Sequence, residues 1–251
     1  MNAEKINVIF PEGKDKAELI IREVNTIVEK ELPATEPMEL SIKGAISAPY
    51  SFLEKRWNAA DGQIDHSRTH IRLNRDNMSM ELVINERDER ACAVISGKIE
   101  LSRQCKAFAL NTGKQWTPED LGNFFKINRT YFESTDENMK LVTILKSLKA
   151  KINVALERTV KDNGSVTDTF QQVVDSNIPE KISVNIPIFK NTQPEKVEIE
   201  FISRVNAGRE ISIELISPDV EAIIETVRDK VINEQLEKIK ALAPEIPIIE
   251  I

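Results

Sequence analysis

Cysteine is nearly missing from this chain. Cys92 and Cys105 are the only two in 251 residues, which argues against a disulfide scaffold and favours a reducing compartment. Histidine is as scarce, with only His66 and His70. Aromatic residues make up 5% of the chain, so most of them are needed in a core. A basic excess is lacking too: 34 Lys and Arg face 41 Asp and Glu, for a net charge of −7. A protein that grips duplex DNA without sequence preference needs a basic footprint, and the chain as a whole has none. No run approaches about 18 consecutive apolar residues, so no membrane-spanning helix and no membrane partner is expected. The opening MNAEKINVIFPEGKDK carries Glu4 and Asp15 around a short apolar stretch and does not read as a signal peptide.

What is present can fold. The chain is 41% hydrophobic and 30% charged, which excludes wholesale disorder. Its length suits one large domain or two domains of about 100–150 residues each. Charge is unevenly spread. Residues 195–251 hold 13 acids against 7 bases, whereas residues 140–161 hold six bases against Glu157 alone. Such a basic stripe can be the solvated face of a helix, or it can meet a phosphate backbone or the acidic end of another copy.

Periodicity sorts the chain into elements. Residues 15–32 read as a helix, with Leu19, Ile20, Val24, Ile27 and Val28 at helical spacing and Pro33 stopping the run. PATEP (33–37) is then a linker, MELSIKGAIS (38–47) is strand-like, and Tyr50 to Trp57 is a short helix. From residue 63, QIDHSRTHIRLNR, SMELVINER and AVISGKIELS carry strand patterning separated by turn residues, an antiparallel meander. Thr117-Pro118-Glu119-Asp120 is a strong helix start. A long helix follows from about Glu137 to Lys161, with Leu141, Leu145, Leu148, Ile152 and Ala155 as its apolar stripe and Asp162-Asn163-Gly164 as its end. Lys140, Lys151 and Arg158 share another stripe of that helix, since spacings of eleven and seven return to nearly the same angle.

The last third is the clearest. KISVNIPIFK (181–190) is a strand interrupted by Pro187, hence an edge or bulged strand. KVEIEFISRV and REISIELIS alternate apolar and polar residues around Asn206-Ala207-Gly208, a hairpin with one buried face. Ser217-Pro218 caps a helix of about 24 residues. The tail APEIPIIEI is apolar, and its two prolines forbid a helix. Five apolar residues there usually dock on a neighbour, in the same chain or in another.

No motif fixes an activity. His66 and His70 on a strand would stand about 13 Å apart, too far for one metal ion. Gly97-Lys98 and Gly113-Lys114 lack the flanking glycine and hydroxyl of a phosphate-binding loop and read as turns. There is no GxGxxG and no GxSxG. Cys92 and Cys105 lie in apolar, strand-like contexts and read as small buried side chains. Trp57, Trp116, Phe124, Phe125, Tyr131 and Phe132 are the aromatics that would stack on bases beside the basic helix, if they are not taken up by the core.

KISVNIPIFKNTQPEKVEIEFISRVNAGREISIELISPDVEAIIETVRDKV has an Ile186-Pro187-Ile188-Phe189 strand and a hairpin with Arg204 before its turn. A Glu214-to-Pro218 step then leads into a terminal helix. This order resembles the C-terminal half of the YfdQ-like family, uncharacterised proteins of phages and prophages. FALNTGKQWTPEDLGNFF resembles that family's central helix entry, with Phe108 where tryptophan is expected. The resemblance covers about half of the chain. It implies a phage or prophage origin, in the host cytoplasm or the virion, and no catalytic residues.

The expected fold is therefore α+β, with antiparallel sheets packed by long helices and a C-terminal strand–hairpin–helix unit. It divides into residues 1–135 and 136–251, two halves that could share a core. The expected function is a non-enzymatic interaction or assembly protein; the alternative is a single-stranded nucleic-acid-binding accessory protein of phage recombination or replication. Contacts to nucleic acid or a partner would fall on Lys140, Lys151 and Arg158. Ile246, Ile248, Ile249 and Ile251 would support a homo-oligomer. No cofactor and no metal is expected.

Overall fold

The computed structural model describes residues 40–59, 64–88, 91–161, 173, 177–205 and 211–251. The expected helix over 15–32, its PATEP linker, the Asp162-Asn163-Gly164 stop and the Asn206-Ala207-Gly208 turn lie outside those residues. Residues 38–251 form one compact unit, and its class is α+β.

Its first sheet has five strands: β1 (Leu40–Ala45), β2 (His70–Asn74), β3 (Ser79–Ile84), β4 (Ala93–Lys98) and β8 (Ile248–Glu250). They lie in the order β1-β4-β3-β2-β8. β2, β3 and β4 form the expected antiparallel meander, with Ile71 opposite Leu82 and Leu82 opposite Ile95. β1 runs parallel to β4, however, and β8 parallel to β2. The sheet is mixed, which corrects the expectation of antiparallel sheets throughout. Alternation decides which side chains face the core, but both orientations of a partner strand satisfy it.

The second sheet, β5 (Lys181–Pro187), β6 (Pro194–Val205) and β7 (Ile211–Ile216), is antiparallel in the order β5-β6-β7. β5 is an edge strand, as Pro187 implied. Single-residue bridges fasten neighbouring segments to this sheet, Phe132 to Val184 on β5, Trp116 to Ile213 on β7, and Leu101 to Phe189 in the β5–β6 connection.

Helices α1 (Ala48–Arg56), α2 (Arg103–Phe108), α3 (Pro118–Ile127), α4 (Thr135–Lys161) and α5 (Val220–Leu242) cover these sheets. Thr117 caps α3 as expected, its hydroxyl accepting from the Asp120 amide. α4 buries Leu141, Leu145, Leu148 and Ile152. Four local readings change. Cys105 sits in a helix rather than a strand-like run, because the Ser102 hydroxyl accepts its amide at 2.9 Å and caps α2. His66 lies in a 3-10 turn begun by Asp65, so the strand starts only at His70. Gly97-Lys98 ends β4 rather than turning. Ser217 does not cap α5; its amide donates to Asn111 Oδ1 at 2.8 Å and its carbonyl accepts from Asn111 Nδ2 at 2.9 Å.

One hydrophobic cluster runs through both sheets, from Leu82 and Ile95 through Phe108 and Phe125 to Leu145, Ile199 and Ile239. The 135/136 position falls inside this unit: α4 packs on α3, and β8 from the far end of the chain completes the first sheet.

Candidate functional site

Helical spacing placed Lys140, Lys151 and Arg158 on one stripe of α4. Lys140 and Lys151 are both exposed, separated by about 16 Å along the axis. Lys151 Nζ donates to Asn177 Oδ1 at 2.6 Å. Arg158 belongs to α4, but its side chain lies outside the described ones. Of the aromatics, Phe132 lines a groove together with Lys140; the others are taken up by contacts within the chain. Phe125 and Trp57 are buried; Phe124 meets Trp116 at 4.9 Å and Phe108 at 5.0 Å, and Phe132 meets Phe125 at 5.2 Å. Trp116 also takes Lys114 Nζ at 3.4 Å over its ring. With few aromatics for its length, the chain spends their faces on one another.

The four tail isoleucines are divided. Ile246 is buried and Ile248 half-buried against the chain's own core, so these two are corrected from candidate contacts to internal packing. Ile249 and Ile251 remain 47% and 66% exposed. The Ile71 amide donates to Pro247 O and the Ile251 amide to Leu73 O, both at 2.8 Å. Arg75 locks the strand in place, bonding Glu250 at 2.8 Å, Asp229 at 3.2 Å and Asn233 at 3.1 Å.

His66 and His70 serve separate structural contacts. The His66 ring stacks on Trp57 at 3.9 Å and its Nδ1 is 3.5 Å from Glu245, while His70 Nδ1 is 3.4 Å from Glu86. Among the described residues, no group of three or more His, Cys, Asp or Glu is arranged to hold a metal ion, and no helix is long and apolar enough to cross a membrane. Burial pushes the Cys105 thiol up, away from the reactive thiolate.

Two concave surfaces among the described residues bear on function. A groove of about 610 Å³ lies between α4 and β5. Leu141, Ile144, Ile178 and Ile182 supply its apolar wall, and Glu133, Glu137, Lys140 and Lys181 its charged residues. Two of these charges are engaged. Lys196 pairs with Glu133 at 2.7 Å, and Lys181 pairs with Glu198 at 2.8 Å. Those hydrogen bonds hold both ammonium groups above the usual lysine value and the Glu198 carboxyl below its own. Among the described residues, β5 pairs with β6 on one side, and its other edge at Lys181–Ser183 carries no strand.

The other surface is a cleft of about 470 Å³ where the two sheets meet. The end of β1 and the start of α1 form one wall, the β5–β6 connection a second, and α5 the third. The Ser102 amide donates to Ile188 O and the Lys190 amide to Glu100 O, both at 2.9 Å, which fixes the second wall to the first sheet. The Lys190–Glu100 ion pair at the rim holds the Glu100 carboxyl below its usual value. From α5, Val227, Lys230, Val231, Glu234 and Gln235 face the cleft, the spacing of one helix face. Gln235 is 8% exposed, and its Oε1 has no hydrogen-bond partner. Ser47 starts α1 without using its hydroxyl as a cap. None of these residues stood out in the sequence. The available signal was Gln235, a polar residue four places from Val231 and from Ile239 on an otherwise apolar stripe.

No family model matches this chain, and neither a curated protein nor a solved structure matches it.

Proposed function

We propose that this chain is a non-enzymatic assembly protein that associates head to tail, the β8 edge of one copy meeting the β5 edge and α4 groove of the next. The observation that carries the reading is β8 itself. It is the last strand of its sheet, and it presents Ile249 and Ile251, large apolar side chains that stay 47% and 66% exposed. An open strand edge at β5 beside an apolar wall offers a second half for main-chain pairing. Charge favours the encounter: residues 140–161 hold six bases against one acid, and residues 195–251 hold 13 acids against 7 bases. Two different surfaces meeting in this way build rings or filaments, which suits an assembly role. A phage or prophage origin, with action in the host cytoplasm or the virion, is carried by the resemblance to YfdQ-like proteins alone.

Sedimentation at about 10 μM tests it, since mass action makes the assembled fraction depend on concentration. The full chain should exceed monomer mass, and Ile249→Lys with Ile251→Lys should return it to a monomer that keeps the parent's circular-dichroism spectrum. A monomeric full chain, or a double variant that keeps its size, refutes the reading. Exposed Lys140 and Lys151 favour the second reading, single-stranded nucleic-acid binding. In that case Lys140→Glu with Lys151→Glu would abolish salt-sensitive binding of a single-stranded oligonucleotide and leave the mass unchanged.

A further inference from the structure

We propose that residues 244–251 exchange between copies, the β2 edge beside α5 of one molecule taking β8 from a second. β8 joins its sheet as an added strand: Ile71 pairs with Ile248, Arg72 with Ile249 and Leu73 with Glu250. Main-chain bonds give such a strand its hold, and alternate side chains give it specificity. The Ile71 amide donates to Pro247 O and the Ile251 amide to Leu73 O, both at 2.8 Å. Ile246 and Ile248 pack on the core, and Glu250 accepts from Arg75 Nε. The receiving side does not depend on which chain supplies the strand. Arg75 shows why. Its two terminal nitrogens donate to Asp229 and Asn233 of α5 at 3.2 and 3.1 Å, which holds Nε ready for a carboxylate.

Two features let the strand leave its own body. The first is its short hold. β8 is three residues long, whereas β2, β3 and β4 have five or six, and Glu250 is 58% exposed in its pair with Arg75. A short edge strand of this kind opens at lower cost than the sheet it joins. The second is the hinge. Residues 243–246 form a turn in which the Ile246 amide donates to Ala243 O at 3.1 Å, with Pro244 in its second position. Opening the turn gives up that bond, while the contacts of β8 with β2, α5 and the core form again in the partner. Pro244 and Pro247 keep the freed arm extended, and residues 243–247 span about 17 Å when straight. Exchange therefore replaces each contact within one chain by the same contact between two, and concentration shifts the balance. The inference goes beyond the head-to-tail contact and does not rest on it. A β8 received from a neighbour still presents the same outer edge.

Disulfide trapping between two full-length chains tests it. Arg72 and Ile249 are register partners, and both are exposed. Paired strands lie about 4.8 Å apart, within reach of a disulfide. A chain with Arg72→Cys is mixed with a chain with Ile249→Cys under oxidised glutathione. A covalent dimer of one chain of each kind should form, its yield rising several-fold between about 1 and 100 μM. Lys43→Cys, exposed on β1 of the same sheet, replaces Arg72→Cys as the control for chance collision and should give almost no dimer. Parent chain mixed with either variant gives the background from Cys92 and Cys105. One chain carrying both Arg72→Cys and Ile249→Cys should close on itself at about 1 μM and yield dimer at about 100 μM. A mixture giving no more dimer than the Lys43→Cys control, or a double variant that stays a closed monomer at the higher concentration, overturns the proposal. A double variant that forms no crosslink also overturns it, since β8 would then not lie on β2. The head-to-tail contact sets Ile249 against β5 rather than β2, so its failure would show in sedimentation and leave this crosslink unchanged.

Discussion

Arg75 is the joint that holds the C-terminal strand to the rest of the protein, and removing it measures what that attachment contributes. Its guanidinium spans three partners on two elements: Glu250 on β8 at 2.8 Å, and Asp229 and Asn233 on α5 at 3.2 and 3.1 Å. Hydrogen bonds to charged groups contribute about 1.5–3 kcal/mol when well buried. Here the Asp229 and Glu250 side chains are 43% and 58% exposed, so water replaces most of what they lose and each pair is worth about 0.5–1 kcal/mol. Asp229 also keeps Arg228 at 2.9 Å. Adding the amide contact brings the total for Arg75→Ala to about 2 kcal/mol. At this chain length that lowers the melting temperature by about 4–8 °C. Arg75→Lys, a single point donor in place of a planar fork, should recover less than half of the loss. Amide hydrogen exchange supplies a local readout: the Ile71 and Ile251 amides, bonded to Pro247 O and Leu73 O, should lose protection before the β3–β4 ladder does. A melting temperature within about 1 °C of the parent, or a fully restored Arg75→Lys, would refute the reasoning.

Two further perturbations probe the packing and the charge network. A Cβ added at Gly97 would lie 2.7 Å from Ala45 O, 2.9 Å from Ile46 Cα and 2.9 Å from Pro49 Cδ; these are backbone or ring atoms that cannot swing away. Gly97→Ala should therefore cost about 2–3 kcal/mol in denaturant unfolding, and a neutral result would mean that β1 and α1 approach β4 less closely than described. In acid, the Asp229, Glu100 and Glu198 carboxyls are held below their ordinary values by hydrogen bonds from Arg228, Lys190 and Lys181 respectively. A lowered folded value stabilises the fold at pH above the unfolded value, and the contribution fades as pH falls through the folded one. The melting temperature should stay level from neutral pH to about 5 and decline below about 4, and a level profile down to about pH 2 would contradict it.

Much of the local structure was legible in the residues. Thr117-Pro118 announced α3, the leucine repeat announced α4, and alternation along β6 and β7 announced the hairpin. Each is a contest between a chain segment and its immediate neighbours, with a period or a cap that short-range sterics and hydrogen bonding enforce. The misreadings are also local in origin. CKAFAL is apolar enough for a strand or a helix, and the Ser102 cap decided between them. The segment around His66 carries strand-like patterning through a turn that Asp65 starts with its side chain. The cleft was hardly legible, because Ser47, Lys98, Lys190 and Gln235 come from four distant parts of the chain and only Gln235 breaks a pattern.

The sequence by itself determined the class, the helical stripes and the inward faces of the second sheet, because amphipathic period and turn chemistry act within a few residues. Only the tertiary structure decided that β1 and β8 join the meander in parallel, since a strand's alternation satisfies either direction of pairing. The same holds for the tail. Its apolar residues announced burial, yet whether they met their own core or a second copy depended on which surface was left open. The β2 edge was free, Arg75 stood beside it to hold Glu250, and the alternation of β8 then sent Ile248 inward and left Ile249 in water.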